Sequence, residues 1–156
     1  MRIHLLAAGT RLPSWINSGF TEYAERLPPE CRLRLKEIPL SPRPRGGNAV
    51  KAMVGEGARM LAAMPAEARV IALDVRGRSF SSEELAKQMT QWLRDGRDLV
   101  LLIGGPDGLT ADCLERAELT WSLSPLTLPH GLARVVVAEQ LYRAWTILQG
   151  HPYHRA

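Results

Sequence analysis

The chain closes on His151, Pro152, Tyr153, His154, Arg155 and Ala156, which sets two imidazoles, a phenol and a guanidinium behind a proline that restricts their path. Imidazole titrates near neutrality and can move protons. Guanidinium binds anionic oxygens, and a phenol can donate a hydrogen bond or stack on a base. Taken alone, such a terminal segment reads as a frayed end, so its meaning depends on what the rest of the chain builds beside it. His130 directly precedes a helical stretch and alone reads as a surface or capping residue. A metal site joining His130, His151 and His154 is not expected, because no carboxylate or thiolate lies near the tail histidines in sequence.

Three further stretches have the composition of ligand loops: "LDVRG" (73–77), "IGGPDG" (103–108) and "SLSPLTLPHG" (122–131). Each follows a segment that reads as a strand, and open parallel sheets bind ligands beyond the carboxyl ends of their strands. Their glycines let backbone approach a ligand closely. The third stretch is long, apolar and rich in proline. Leu126 and Leu128 are poor residues for a solvated loop but suit a pocket wall for a flat aromatic ring, with backbone N–H and C=O groups providing specificity. None of the three is a phosphate loop. There is no glycine-rich run closing on Gly-Lys-Ser or Gly-Lys-Thr, and "GGPDG" lacks the dinucleotide spacing and by itself reads as a structural turn.

These groups must be positioned by a domain of ordinary size. The 156 residues suit one domain, residues 1–156, and 46% hydrophobic against 23% charged residues supports a normal core. The longest apolar run, "LVLLI" (99–103), is far too short to span a membrane. The opening "MRIHLLAAGTRLP" loosely imitates a signal peptide but lacks a clear cleavage site and reads better as a first strand, so a cytoplasmic protein is expected. Cys31 and Cys113 are far apart, form no paired motif and read as reduced thiols. The net charge of +4 and pI near 9.5 permit an anionic partner without demanding one. Basic residues gather at 43–45, at 76–78 and in the tail.

Strand and helix patterns alternate along the chain. Strands are expected at 2–8, 32–38, 69–75, 98–104 and 119–124, the fourth central with both faces covered. Helices are expected at 15–27, capped by Ser14 and buried through Trp15, Phe20, Tyr23 and Leu27; at 49–64, capped by Asn48; at 82–95, with a capping box from Ser81 and Glu84 and a stop at Gly96; at 111–117, capped by Thr110; and at about 132–149. On the last helix Val137, Leu141, Ala144, Trp145 and Leu148 share one face. Residues 39–47 read as a mobile loop, and 76–80 read as a loop. The alternation predicts an α/β protein with a parallel sheet flanked by helices. From these patterns alone the default is a flavodoxin-like nucleotide-binding fold, though without a phosphate loop.

"LDVRG", "LLIGGPDGL", "WSLSPLTLPHGLARVVVAEQLYRAW" and "HPYHR" together resemble the large-subunit ribosomal RNA methyltransferase family known as RlmH. "AAGTRLP" and "GFTEYAERLP" extend the resemblance to the start of the chain. It implies a homodimer of the SPOUT superfamily with a C-terminal trefoil knot, a topology that pattern rules would exclude. It also implies S-adenosylmethionine as cofactor and, as substrate, N3 of a pseudouridine in helix 69 of 23S rRNA within the assembled ribosome. Carried over by position, the cofactor contacts are Leu73, Gly104, Leu123, Ser124, Pro125, Leu126, Thr127 and Leu128. Two positions depart from the family's usual pattern. Gly131 stands where proline is common and loosens the approach to the last helix, so His130 is expected to be held less rigidly. Asp107 stands where glutamate is common and keeps the charge on a shorter arm.

Methyl transfer to N3 needs in-line positioning and a base for a weakly acidic N–H. The resemblance therefore points to His154 as base, with Tyr153 and Arg155 binding substrate and His130 and Arg134 as second choices. The tail is expected to be loosely held and to close over the target base, completing the partner's site if the last helix forms the dimer interface. Two rivals are a SPOUT methyltransferase acting on tRNA, against which the "HPYHR" ending speaks, and a non-catalytic ribosome-binding module, which would not need the cofactor loops.

Overall fold

Strand β4 (Leu99–Ile103) is apolar and buried at every position, so it can lie only where both faces of a sheet are covered. In the computed structural model, which describes residues 1–155, it is the middle strand of five. The others are β1 (Ile3–Ala8), β2 (Leu33–Ile38), β3 (Arg69–Ser79) and β5 (Leu119–Ser122). The order is β2-β1-β4-β3-β5 and every pairing is parallel. This is the α/β architecture expected from the alternating pattern.

Successive strand residues face opposite sides, and the core divides accordingly. Ile3, Leu5, Leu99, Leu101 and Ile103 pack under α1 (Ser14–Ala24), α3 (Ser82–Asp95) and α5 (His130–Gln149), meeting Phe20, Met89, Trp92, Val137 and Leu141. Leu6, Ala8, Val70, Val100 and Leu102 pack on the other side against Met60 of α2 (Val50–Ala63) and Cys113 of α4 (Ala111–Arg116). Both cysteines are free and buried.

Helix ends follow the expected chemistry in three places. Ser81 and Glu84 form a reciprocal capping box, Thr110 accepts from the Cys113 N–H, and Gly96 ends α3 in the left-handed conformation. Elsewhere the structure corrects the expectation. Ser14 is the first helical residue rather than the cap, which is Pro13; α1 stops at Ala24, and Trp15 points outward, with Ile16 taking the core position. Asn48 sits one residue too early to be the cap, though its Oδ1 accepts the Val50 N–H at 3.3 Å. Strand β3 does not stop at residue 75. Leu73 and Arg78 both align with Trp121 of β5, so residues 74–77 bulge outward and the chain returns to the sheet through Ser79.

Two further corrections bear on function. The 39–47 segment is pinned rather than loose, because the Arg43 guanidinium binds Glu56 on α2 and Asp107 after β4. Gly131 does not loosen the start of α5. A Cβ there would lie 2.5 Å from Ile16 Cδ1, so glycine lets α5 close against α1, and the helix begins at His130 itself.

Candidate active site

Beyond the carboxyl ends of β3, β4 and β5 lies a cavity of about 510 Å³, within the range typical of small-molecule sites. The three stretches singled out by composition form its walls. Of the eight residues expected to face a cofactor, Leu73, Gly104, Leu123, Ser124, Leu126, Thr127 and Leu128 line it, and Pro125 does not. The Gly104–Gly108 turn is folded tightly: a Cβ on Gly104 would lie 2.5 Å from the Gly108 carbonyl carbon. The apolar segment after β5 is shaped by its own serines. Ser122 Oγ donates to the Ser124 carbonyl at 3.1 Å, and Ser124 Oγ accepts from the Leu126 N–H at 2.9 Å. Leu126 lines the cavity at its rim and remains 74% exposed.

The walls also hold residues that sequence reasoning passed over. The bulge in β3 turns Asp74 and Val75 into the cavity, and Trp121 and Ala133 contribute to its apolar lining. Asp74 is held by Arg76, with Oδ1–Nε 3.0 Å and Oδ2–Nη2 2.9 Å. Hydrogen bonds from Arg76 keep its carboxyl below the usual aspartate range despite burial, so it is an anion on the cavity wall. The signal for it was the carboxylate in "LDVRG", one residue past the position chosen.

His130 stands on the wall in the first turn of α5. Burial, and then the neighbouring Arg134 cation, push its pKa below the ordinary 6.5, so the imidazole is neutral at pH 7. Arg134 is fully buried. It donates to the Gly9 carbonyl at 2.8 Å, the Ala8 carbonyl at 3.3 Å and Glu37 Oε2 at 2.8 Å, tying α5 to the end of β1. Its side chain has no exposed surface with which to touch a substrate. Its place is behind His130, where it fixes position and charge.

The tail lies elsewhere. Gly150 ends α5 in a left-handed conformation, and Pro152–His154 form a 3-10 turn that folds back along the helix. The Tyr153 N–H donates to His151 Nδ1 at 3.1 Å. Its hydroxyl donates to Glu139 Oε1 at 3.0 Å, and its ring meets Tyr142 edge-on, centroids 4.6 Å apart. Arg143 lies over the Tyr153 ring and also binds Glu139. Burial, followed by the Glu139 carboxylate, pushes the Tyr153 phenol up to about 12. The expected loosely held tail is therefore docked, with Arg155 exposed and His154 half-buried. His154 Nδ1 is buried with no hydrogen-bond partner among the described residues. Glu139 lies nine residues past His130, about two and a half helical turns, which puts it on the opposite side of α5. Cavity and tail are thus back to back on one helix.

Among the described residues no group of three or more histidine, cysteine or carboxylate side chains is placed to hold a metal ion. No helix there is long and apolar enough to cross a membrane.

Comparison with known proteins adds relatives to this geometry. The family described as "Predicted SPOUT methyltransferase" matches residues 1–154. A protein of Thioalkalivibrio sulfidiphilus named Ribosomal RNA large subunit methyltransferase H is 57% identical over 155 residues, 99% of each chain. Its namesake in Alkalilimnicola ehrlichii is 57% identical over all 156 residues and 100% of each chain. Among solved structures, a putative methylase family protein from Neisseria gonorrhoeae superposes with a TM-score of 0.56 at 17% identity, over 90% of this chain and 81% of that one, a likeness of fold alone.

Proposed function

This chain belongs to the SPOUT methyltransferase family, and on that premise we infer that it methylates large-subunit ribosomal RNA, using S-adenosylmethionine. The acceptor in this reading is N3 of a pseudouridine in helix 69 of 23S rRNA, presented by the assembled ribosome. The observation that carries it is the cavity of about 510 Å³ beyond the strand ends, with apolar walls for an adenine ring and one carboxylate, Asp74, on its lining. Those walls suit a ligand with an aromatic base; the Asp74 charge is already shared with Arg76. S-Adenosylmethionine supplies an electrophilic methyl group on a sulfonium.

The chain's own residues do the rest. Leu123, Leu126 and Leu128 give the cavity apolar walls, and the Gly104–Gly108 turn offers backbone donors and acceptors. Catalysis rests largely on holding the acceptor nitrogen in line with the methyl carbon and the departing sulfur. The N3 proton must leave before or during attack, and a neutral imidazole within reach can take it.

Because one chain's tail docks on the far side of α5 from its own cavity, the arrangement favours a homodimer in which each tail completes the partner's site. His154 is then the base, and Arg155 binds a phosphate or a uracil-type carbonyl. A second reading keeps the base within one chain. It is favoured by His130, which already lines the cavity and is neutral at pH 7. With a charge of only +4, recognition depends on ribosome shape more than on phosphate contacts.

The test is transfer of labelled methyl from S-adenosylmethionine to unmodified ribosomes, separated large subunits and naked 23S rRNA, with the product mapped by mass spectrometry. Label on a helix 69 pseudouridine in whole ribosomes is the expected result. Cofactor binding without methylation of any of the three would remove the substrate assignment and leave the family.

A further inference from the structure

The segment between β2 and α2 is fastened to the turn that walls the cavity. Leu40 covers Gly105, where a Cβ would lie 3.0 Å from Leu40 Cδ2. Ser41 N–H donates to Glu56 Oε2 at 2.8 Å, and Arg59 Nη2 holds the Pro39 carbonyl at 2.7 Å and Ser41 Oγ at 2.8 Å. At the centre stands Arg43. Its Nη1 and Nη2 engage the two oxygens of Glu56, Nη1 also donates to the Ser41 carbonyl at 2.9 Å, and Nε and Nη2 reach Asp107 Oδ2 at 3.2 and 3.0 Å. A planar guanidinium serves two carboxylates in this way because its five donors are fixed in a fork.

The two carboxylates differ. Glu56 is only 4% exposed on α2, a costly place for a charge unless it holds something. Burial alone would raise its pKa, yet the hydrogen bonds from Arg43 and the Ser41 N–H more than offset this and keep it ionised. Asp107 is partly exposed, but it is the tip of the turn whose Gly104, Gly105, Pro106 and Gly108 line the cavity. Such a turn has little stiffness of its own; one antiparallel bridge, Gly105 to Gly108, closes it. Arg43 therefore links an anchor on α2 to the glycine-rich turn that walls the cavity.

We propose that Arg43 is a positioning residue for the methyl donor: anchored on Glu56, it holds Asp107 and so keeps the Gly104–Gly108 turn in the shape that receives S-adenosylmethionine. This rests on the reading of the cavity as the cofactor site. Arg43 does not itself line the cavity, and its effect passes through the turn.

The experiment is calorimetric titration of S-adenosylmethionine into the purified full chain and into Arg43→Ala, Arg43→Lys, Asp107→Asn and the Arg43→Ala/Asp107→Asn pair, with Tm recorded for each. Arg43→Ala and Asp107→Asn each weaken binding by about tenfold, as expected for coupled contacting groups, and the pair is no weaker than Arg43→Ala alone. Arg43→Lys recovers part of the loss. In ribosome methylation, KM for S-adenosylmethionine rises by more than kcat falls. Unchanged affinity in Asp107→Asn and Arg43→Ala, whatever happens to Tm, would show the link to be structural only and overturn the proposal. So would additive losses in the pair. If Arg43→Ala fails to fold because Glu56 is left buried and unpaired, Asp107→Asn and Arg43→Ala/Glu56→Gln decide the matter by the same criteria. No binding by the unaltered chain would instead overturn the reading of the cavity, and this inference with it.

Discussion

His130, on the cavity wall beside a buried cation, and His154, on the docked tail, are two candidates for one proton, and single substitutions separate them. If the tail supplies the base, His154→Ala lowers single-turnover methylation at saturating ribosome by about a hundredfold or more, while His130→Ala has the smaller effect. The reverse ranking would place the base inside the cavity. In that case, since the pKa of His130 is depressed, its unprotonated form and the rate persist as pH falls to 6.5 and are lost only below it. Tyr153 is not a base at any physiological pH. Its phenol is raised from 10.0 to about 12, so the folded chain holds this proton more tightly than the unfolded one. The tail's contribution to stability is therefore full below pH 10 and is lost as pH rises towards 12. Tyr153→Phe removes the corresponding step from an alkaline tyrosinate absorbance titration. Arg134 acts through position. Arg134→Met strips hydrogen bonds from the Ala8 and Gly9 carbonyls and leaves Glu37 unpaired, at a cost of about 3 kcal/mol in denaturant unfolding, discounted because Glu37 is partly solvated.

At the scale of the elements, local chemistry was legible and distant pairing was not. The Ser81–Glu84 box, the Thr110 cap and the left-handed Gly96 each depend on residues within four positions of one another, and each stands where the sequence places it. Ser81→Ala is expected to cost about 1 kcal/mol of stability in thermal or denaturant unfolding. Strand β3 was read too short because its return to the sheet depends on Trp121, far along the chain. The 39–47 segment was read as loose because its proline, glycine and arginine content is that of a mobile loop. What holds it are Glu56 and Asp107, 13 and 64 residues from Arg43. Gly131 was misread for a similar reason. A glycine beside a helix start looks permissive, yet its neighbour in space is Ile16, and Gly131→Val should force α5 off α1 and lower Tm by several degrees.

At the scale of the whole molecule, the parallel pattern alone pointed to the strand ends, where the structure has a cavity lined by seven of the eight expected residues. The position of the tail could not be read from the sequence, because it depends on the Tyr153–Glu139 bond and on helical phase. The small net charge yields a further expectation. Binding to naked helix 69 RNA should be weak and, with few phosphate contacts to release counterions, should fall only shallowly with salt, which filter binding at two ionic strengths would reveal. The back-to-back arrangement on α5 also works as a ruler. Each residue added to a helix turns everything beyond it by about 100°. One residue inserted between His130 and Glu139 would swing the tail's dock by about a quarter turn or more relative to the cavity, while leaving every side chain at either end unchanged. The count of residues between these two points is thus as much a part of the design as their identity, and lineages of this chain should keep the length of that stretch even where its exposed residues change.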